Sequence, residues 1–169
     1  MNLYRRRLLT VAKEILFDTT YLLPLLGIRV KGLYKYEEYI PKILESYKVY
    51  YHPVSLIEAK WKLLQLKKDK DLTQWRGIAS RYRQGLNYIL NSSKLIELKF
   101  TAPEVEDEID YLIENGYRDY FDLLIFTSAY IGKLTLVTED LELMEIPSKI
   151  KRYRDVEVMN WSKLIETIK

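Results

Sequence analysis

Two aspartates stand at the two ends of a short helix–strand unit in the second half of the chain. Asp122 lies in the first turn of a predicted helix that Asp119 caps and Gly132 ends, and residues 134–138 follow as a short apolar strand. A helix of about 12 residues climbs roughly 18 Å, and a strand of about 5 residues returns roughly 17 Å. Asp140 therefore comes back to the edge where Asp122 lies. Two carboxylates on one edge of an open α/β sheet predict a metal site there.

Two further acids occupy equivalent places earlier in the chain. Asp18 ends an apolar predicted strand, and Glu58 lies in the first turn of the helix that follows a second predicted strand. In a parallel α/β sheet all of these points lie on the carboxyl edge. Oxygen donors of this kind favour Mg²⁺ or Mn²⁺ over zinc, and one or two such ions support phosphodiester hydrolysis.

The composition excludes several other kinds of site. The chain has no cysteine, which removes disulfides, thiolate zinc sites and cysteine nucleophiles. His52 is the single histidine, so a histidine-rich zinc site or a Ser-His-Asp triad would have to be built around it, and no companion motif supports either. We expect His52 to be a turn residue lining the same cleft as the acids.

Each acid also has a structural explanation. Asp18 is placed to cap the next helix, residues 55–58 form a capping box in which Glu58 reaches back to its own helix start, and Asp122 complements a helix dipole. Thr138 is placed to cap a turn that contains Asp140. These explanations are correlated, because every helix start in such a fold lies on the same edge. The metal hypothesis is favoured by the apolar strand before Asp18 and by the spacing of 18 residues between Asp122 and Asp140.

The order of elements predicts one α/β domain over residues 1–169, with residues 1–13 as a basic N-terminal arm. Strands alternate with helices, which is typical of a parallel sheet covered on both faces. The predicted strands cover residues 14–18, 49–51, 95–100, 134–138 and 156–159. The longest apolar run near the start, residues 21–28, is far shorter than the ~20 residues that cross a bilayer. We therefore expect a cytoplasmic protein without a membrane partner.

Two long helices are predicted between the second and third strands. The first starts at Ser55 with an apolar face that includes Trp61, and the second runs to about Leu90 after a cap at Asp71 or Thr73.

Charge is unevenly distributed along the chain, although the formal net charge is only +3. Residues 60–100 hold ten Lys or Arg against three acids, whereas residues 103–145 hold two against twelve. A basic surface beside an acidic pocket suits a polyanion held near metal ions. The alternative is that both are solvated helix faces.

Four segments together resemble the PIN-domain family, which includes the VapC-type ribonuclease toxins. Residues 15–23 match its hydrophobic strand followed by Asp and Thr, and residues 54–59 match its glutamate on a helix. The acidic helix start at 122–129 and the Thr-x-Asp at 138–140 match its third and fourth motifs. The resemblance covers roughly residues 14–160.

The resemblance implies a three-layer α/β/α sandwich with a central, mostly parallel sheet, and Mg²⁺- or Mn²⁺-dependent cleavage of RNA. It also implies an antitoxin as a partner and a homodimer. The four acids would bind the metal, Thr138 would orient Asp140 or a phosphate, and Thr19 would support the same site. These residues are Asp18, Glu58, Asp122 and Asp140, with Thr138 and Thr19.

Several residues around this set are candidates for RNA contacts or extra ligands. The basic segments 5–13 and 60–94 are expected to hold the RNA backbone, with the contacting side chains Arg76, Arg81 and Arg83, and with Tyr82 and Tyr88 stacking on bases. Asp119 and Glu139 are extra acids that serve either as metal or water partners or as caps.

Three other functions are compatible with parts of this pattern. A non-catalytic nucleic-acid-binding PIN-like module would not need all four acids, and a structure-specific DNA nuclease would use them on another substrate. A receiver-like signalling domain would need an acidic pair after the first strand and a lysine after the last, and neither is evident.

Overall fold

A computed structural model describes residues 13–168 of the chain. Apart from Lys13, the predicted N-terminal arm lies outside the described residues. These residues form a five-stranded sheet in the order β3-β2-β1-β4-β5, and every neighbouring pair is parallel. The strands are β1 (Glu14–Phe17), β2 (Lys48–Tyr51), β3 (Leu95–Glu97), β4 (Thr135–Val137) and β5 (Val158–Met159).

Within residues 13–168, eight α-helices connect and cover these strands. They are α1 (Thr19–Leu22), α2 (Tyr36–Ser46), α3 (Pro53–Leu66), α4 (Leu72–Asn91), α5 (Pro103–Glu114), α6 (Tyr120–Gly132), α7 (Leu141–Lys149) and α8 (Trp161–Glu166). Short 3₁₀ turns lie at Lys67–Asp69 and Lys151–Tyr153. Among residues 13–168, none of the helices combines the length and the apolar character that a membrane span requires.

The two faces of the sheet carry separate hydrophobic cores, because successive side chains of a strand point to opposite faces. In β1, Ile15 and Phe17 belong to the first core, with side chains of α1, α2, α4 and α8. Leu16 belongs to the second core, with side chains of α5, α6 and α7. The predicted three-layer α/β/α sandwich is therefore confirmed.

Helix α6 is the most buried helix, with every residue from Leu123 to Ala129 inaccessible or nearly so. Asp119 caps its start, as predicted, by accepting hydrogen bonds from the backbone N–H groups of Phe121 and Asp122. The predicted end of the helix at Gly132 is confirmed. Gly132 is the last helical residue, and Lys133 takes the left-handed conformation that ends the helix, with φ 53°.

Helix α3 differs from its prediction at its start and in its buried face. It begins at Pro53 rather than Ser55, because His52 supplies the cap and proline is favoured in the first helical turn. Its buried side chains are Val54, Ser55, Ala59 and Leu63, whereas Trp61 is exposed.

The segment after β4 forms a helix that the sequence patterns did not predict. Helix α7 is only nine residues long and contains Pro147, so it lacks the long apolar period on which such a prediction depends. Asp140 caps it. The predicted strands at 95–100 and 156–159 are also shorter in the structure, at Leu95–Glu97 and Val158–Met159.

His52 is fully buried and joins the start of α3 to the segment after β3. Its Nδ1 accepts a hydrogen bond from the Val54 N–H at 3.1 Å, so Nε2 donates to the Phe100 carbonyl at 2.8 Å. Burial lowers the pKa of His52. A lowered histidine pKa means that the folded protein favours the neutral ring. The contribution of His52 to the free energy of unfolding is therefore complete above pH ~6.5 and is lost as the pH falls below that value.

We expect His52→Asn to lower the free energy of unfolding at pH 7.5 by about 1–2 kcal/mol, because asparagine caps a helix but cannot reach Phe100. The stability difference between the two proteins should become smaller as the pH falls from about 6.5 to 5, because protonation of the buried His52 ring destabilises wild type and has no counterpart in the variant. Urea denaturation of both proteins across this range measures the difference. A deficit independent of pH would contradict the assignment of neutral His52 as the cap.

Candidate functional site

The site begins where β1 and β4 end side by side. Phe17 is paired with Val137, so the next residues, Asp18 and Thr138, are neighbours at the carboxyl edge. The Thr138 hydroxyl donates a hydrogen bond to Oδ2 of Asp18 at 2.9 Å, and the Thr19 N–H donates to Oδ1. Asp18 is 6 % exposed and Thr138 is fully buried. The carboxylate of Asp18 is therefore held at both oxygens.

Asp140 is fixed to the same point through Thr138. The Asp140 N–H donates to the Thr138 hydroxyl at 3.0 Å, and Oδ1 of Asp140 accepts from the N–H groups of Glu142 and Leu143 at 2.7 and 3.1 Å. One threonine side chain thus links the ends of two strands to the start of α7. Asp140 is half-buried.

Asp122 lies in the first turn of α6, as predicted, and is half-buried. Asp119, one of the two extra acids, caps this helix and is exposed. Glu139, the other, accepts hydrogen bonds from the Tyr21 hydroxyl at 2.6 Å and from the Trp161 N–H at 2.7 Å. Both extra acids therefore have a structural role in the described state.

Glu58 lies on α3 and forms an ion pair with Lys62 at 2.6 Å, one turn further along the helix. The predicted capping box is wrong, because His52 caps α3 and places Glu58 beyond the first turn. The hydroxyl of Ser55, the other member of that box, is buried and has no hydrogen-bond partner among the described residues.

All four predicted acids line one cleft of about 500 Å³ at the carboxyl edge of the sheet. It lies between the start of α6, the loop before α7 and the side of α3. Thr19 is buried beneath it, where its backbone N–H holds Asp18 but its hydroxyl has no partner among the described residues. The side chains around the cleft are Asp18, Thr20, Glu58, Trp61, Lys62, Gln65, Asp119, Phe121, Asp122, Glu139 and Asp140.

The carboxylates of this cleft oppose one another's ionisation. Burial raises the pKa of Asp18 to about 6, against the hydrogen bond from Thr138, and the charges of Glu58 and Asp140 raise it further. Burial raises the pKa of Asp122 to about 7, with Asp119, Asp18, Asp140 and Glu58 adding to the rise in that order. Lys62 is the one cationic side chain among the described residues that line the cleft. The cleft therefore carries an excess of negative charge.

The donor set is suited to a hard divalent cation, since it consists of carboxylates without histidine or cysteine. Within residues 13–168, however, no three acidic or histidine side chains are grouped closely enough to hold a metal ion as they stand. The acids fit such an ion in chemical kind and in charge and line the same cleft, but their side chains would have to move closer together to bind it.

The cleft also contains residues that the sequence patterns did not assign to it. Trp61, Lys62 and Gln65 follow Glu58 at intervals of three, four and seven along α3, which places all four on one face of the helix. This spacing alone indicates that the four side chains share a face. The apolar pattern of the helix instead placed Trp61 on its buried face, so the sequence analysis did not assign these residues to the cleft.

The predicted RNA-binding arginines lie outside the cleft. Arg76, Arg81 and Arg83 are all exposed on α4. Tyr82, predicted to stack on bases, is 4 % exposed and thus buried, whereas Tyr88 is exposed.

The sequence matches no protein-family model, and a search of the curated proteins found no match. Solved structures are similar at the level of the fold. PAE2754 from Pyrobaculum aerophilum aligns with a TM-score of 0.61 and 17% identity, over 94% of this chain and 96% of its own. VapBC2 from Rickettsia felis, bound to a DNA fragment from its promoter, aligns with a TM-score of 0.58 and 18% identity, over 88% and 98%. FitAB bound to the IR36 DNA fragment aligns with a TM-score of 0.58 and 19% identity, over 87% and 94%. These are PIN-domain structures, and the chain has the PIN-domain fold.

Proposed function

We propose that this protein is a Mg²⁺- or Mn²⁺-dependent endoribonuclease that hydrolyses RNA phosphodiester bonds. The observation that carries the proposal is the cleft in which Asp18, Glu58, Asp122 and Asp140 meet with a single cation, Lys62, among the described lining residues. The pKa values of Asp18 and Asp122 are raised, first by burial and then by the negative charges of the other acids. Carboxyl groups whose pKa values are shifted by burial and by neighbouring charges are typical of functional sites.

The four acids would hold the ion. Bound there, magnesium or manganese would supply positive charge to the phosphate and lower the pKa of a water that attacks phosphorus. Thr138 would act as a positioning residue, since its hydroxyl holds the Asp18 carboxylate and the backbone of Asp140. Thr19 would support Asp18 through its backbone N–H.

Lys62 has a separate part in this arrangement. Its ammonium group is 2.6 Å from Glu58, so it neutralises one acid of an otherwise anionic cleft. It would also place a positive charge beside a phosphate that enters the cleft.

RNA is proposed as the substrate because a basic segment, residues 60–100, reaches the cleft at Lys62 of α3 and continues along α4. Exposed Arg76, Arg81 and Arg83 on α4 would contact the phosphate backbone without reading sequence. A homodimer is part of the same proposal.

We also propose an antitoxin protein as a partner, whose bound segment would cover the acidic cleft. The support is the resemblance of the sequence motifs to VapC-type toxins, together with the similar fold of VapBC2 and FitAB, both of which are bound to DNA. The protein would then be the toxin of a toxin–antitoxin pair.

The test is cleavage of labelled single-stranded RNA by the purified protein with Mn²⁺, Mg²⁺ or EDTA, beside Asp18→Asn and Asp122→Asn. We expect each substitution to slow cleavage about 100-fold or more, because a lost metal ligand costs several kcal/mol of transition-state stabilisation. Asp71→Asn is the matched control. Asp71 caps α4 outside the cleft, and asparagine caps equally well, so its rate should equal that of wild type.

Cleavage that is equal in wild type and both cleft variants, or that persists in EDTA, would contradict the proposal. Single-stranded DNA and flap substrates in parallel reactions separate a ribonuclease from a structure-specific DNA nuclease. Binding of RNA without metal-dependent cleavage would favour the non-catalytic binding module.

A further inference from the structure

A second groove meets the carboxylate cleft at Trp61. It runs between α3 and α4 on the outer side of the molecule. Its lining consists of Leu56, Ile57, Lys60, Trp61, Tyr82, Arg83 and Leu86. Trp61 lines both spaces, so the cleft continues directly into the groove at this side chain.

The groove exposes apolar surface that the fold leaves uncovered. Trp61 is 66 % exposed and Ile57 is 53 % exposed, although both lie on a helix whose other side is fully buried. Buried Tyr82 forms the floor, with its hydroxyl directed to the Leu56 carbonyl at 3.4 Å. The groove therefore presents two large apolar side chains to solvent, one turn apart on α3.

The charges beside the groove are positive. Lys60 lies over the Tyr82 ring, with its ammonium group 4.9 Å from the ring centroid, and Arg83 lies on the neighbouring helix. None of the described residues that line the groove is acidic. An exposed aromatic ring between cationic side chains matches a single-stranded nucleic acid, whose bases have apolar faces and whose phosphates are anionic. A duplex presents no free base face to such a ring.

We propose that Trp61 is a base-stacking platform for the nucleotide next to the cleaved bond, and that the groove guides the following single strand past Lys60 and Arg83. The inference rests on the proposed function, because it takes the strand in the cleft to be the one that leaves past Trp61. The platform makes the enzyme selective for single-stranded RNA. It replaces the predicted stacking on Tyr82, which is only 4 % exposed.

The test compares wild type with Trp61→Ala and Trp61→Phe, and with Leu72→Ala as the control. Leu72 is an apolar side chain on α4, 62 % exposed, and it does not line the groove. Affinity for a short labelled single-stranded RNA is measured in EDTA by fluorescence anisotropy, and kcat and KM are measured with Mn²⁺. We expect Trp61→Ala to weaken binding about tenfold and to raise KM with little change in kcat, whereas Trp61→Phe recovers part of the loss. Leu72→Ala should behave as wild type.

A set of RNAs with one abasic position each makes the test specific for stacking. At the position that contacts Trp61, removing the base should weaken wild-type binding as much as Trp61→Ala does, and the two changes together should cost no more than one. Losses that add at every position would overturn the assignment.

The outcomes separate this inference from the proposed function. Unchanged RNA affinity in Trp61→Ala, with normal metal-dependent cleavage by wild type, would overturn the platform alone. If wild type neither binds nor cleaves RNA, both proposals fail. If Trp61→Ala converts a dimer into a monomer in light scattering and leaves RNA binding unchanged, the groove is a contact between copies of the chain, and the platform is refuted.

Discussion

Asp122→Asn is expected to stabilise the metal-free protein at pH 8 while it removes the response to magnesium. Asp122 shares its cleft with three other predicted metal-binding acids, and its pKa is raised from 3.8 to about 7. Three pKa units correspond to about 4 kcal/mol, and since the side chain is half-buried and partly screened by water we expect a gain of about 2 kcal/mol. Urea denaturation in EDTA measures it.

The pH dependence of the same experiment has a defined sign. When the pKa of a carboxyl group is raised in the folded state, the folded state favours the protonated form, so the contribution of this group to the free energy of unfolding is complete below pH ~4. It is lost as the pH rises through the folded values, about 6 for Asp18 and about 7 for Asp122. The contribution of these two acids to the free energy of unfolding of the metal-free wild type should therefore fall between about pH 4 and 7, and the advantage of Asp122→Asn over wild type should grow across this range.

Magnesium should reverse the order of the two proteins. An ion that binds only the folded state adds about 2.7 kcal/mol at a concentration of 100 times its Kd, and of the two proteins only wild type would keep all four proposed ligands. Asp71→Asn serves again as the control, with wild-type behaviour in both buffers. If magnesium stabilised Asp122→Asn as much as wild type, Asp122 would not be a ligand.

Gly85→Ala is expected to destabilise the protein by about 3 kcal/mol, or to prevent folding. Gly85 lies on the buried side of α4, where the helix packs against the segment after α1. A Cβ atom there would be 2.1 Å from the Leu25 carbonyl oxygen and 2.7 Å from the Leu26 Cα. Both are backbone atoms, so neither can turn away as a side chain would, and one of the two segments must shift.

Gly77→Ala is the matched control, because it makes the same chemical change two turns earlier in α4. The nearest atom to its Cβ position is the end of the Arg81 side chain at 3.9 Å. Alanine in an open helical position should stabilise the protein by about 0.5–1 kcal/mol. The two substitutions should therefore differ in sign in thermal or urea denaturation. Equal effects would show that the close contact between α4 and Leu25 does not limit stability.

The sequence by itself determined the edge on which the acids meet. Asp18 and Asp140 come directly after strands β1 and β4, and Asp122 comes at the start of a helix. In a parallel sheet the carboxyl ends of all strands lie together, whatever the order of the strands. This is why a pattern of apolar strands, each followed by an acid, predicted a shared cleft without any knowledge of which strands are neighbours.

The tertiary structure decided which residues of this edge contact one another. Thr138 reaches Asp18 because β1 pairs with β4, and the two residues are 120 positions apart in the chain. Glu58 is paired with Lys62 rather than with its own helix start because His52, buried against Phe100, took the capping position. Local propensity could not choose between these caps, since a proline in the first turn after His52 and the Ser-x-x-Glu of residues 55–58 are both favourable helix starts.

The uncovered surface was also decided only by packing. Trp61 has the apolar character of a core residue, and a single helix offers no information on which of its apolar residues another element will cover. Helices α1 and α6 pack against α3, on which Ala59 and Leu63 are fully buried, and Trp61 is left exposed at the cleft. Burial depends on the distance and angle between two elements, and those are properties of the assembled fold rather than of either sequence segment.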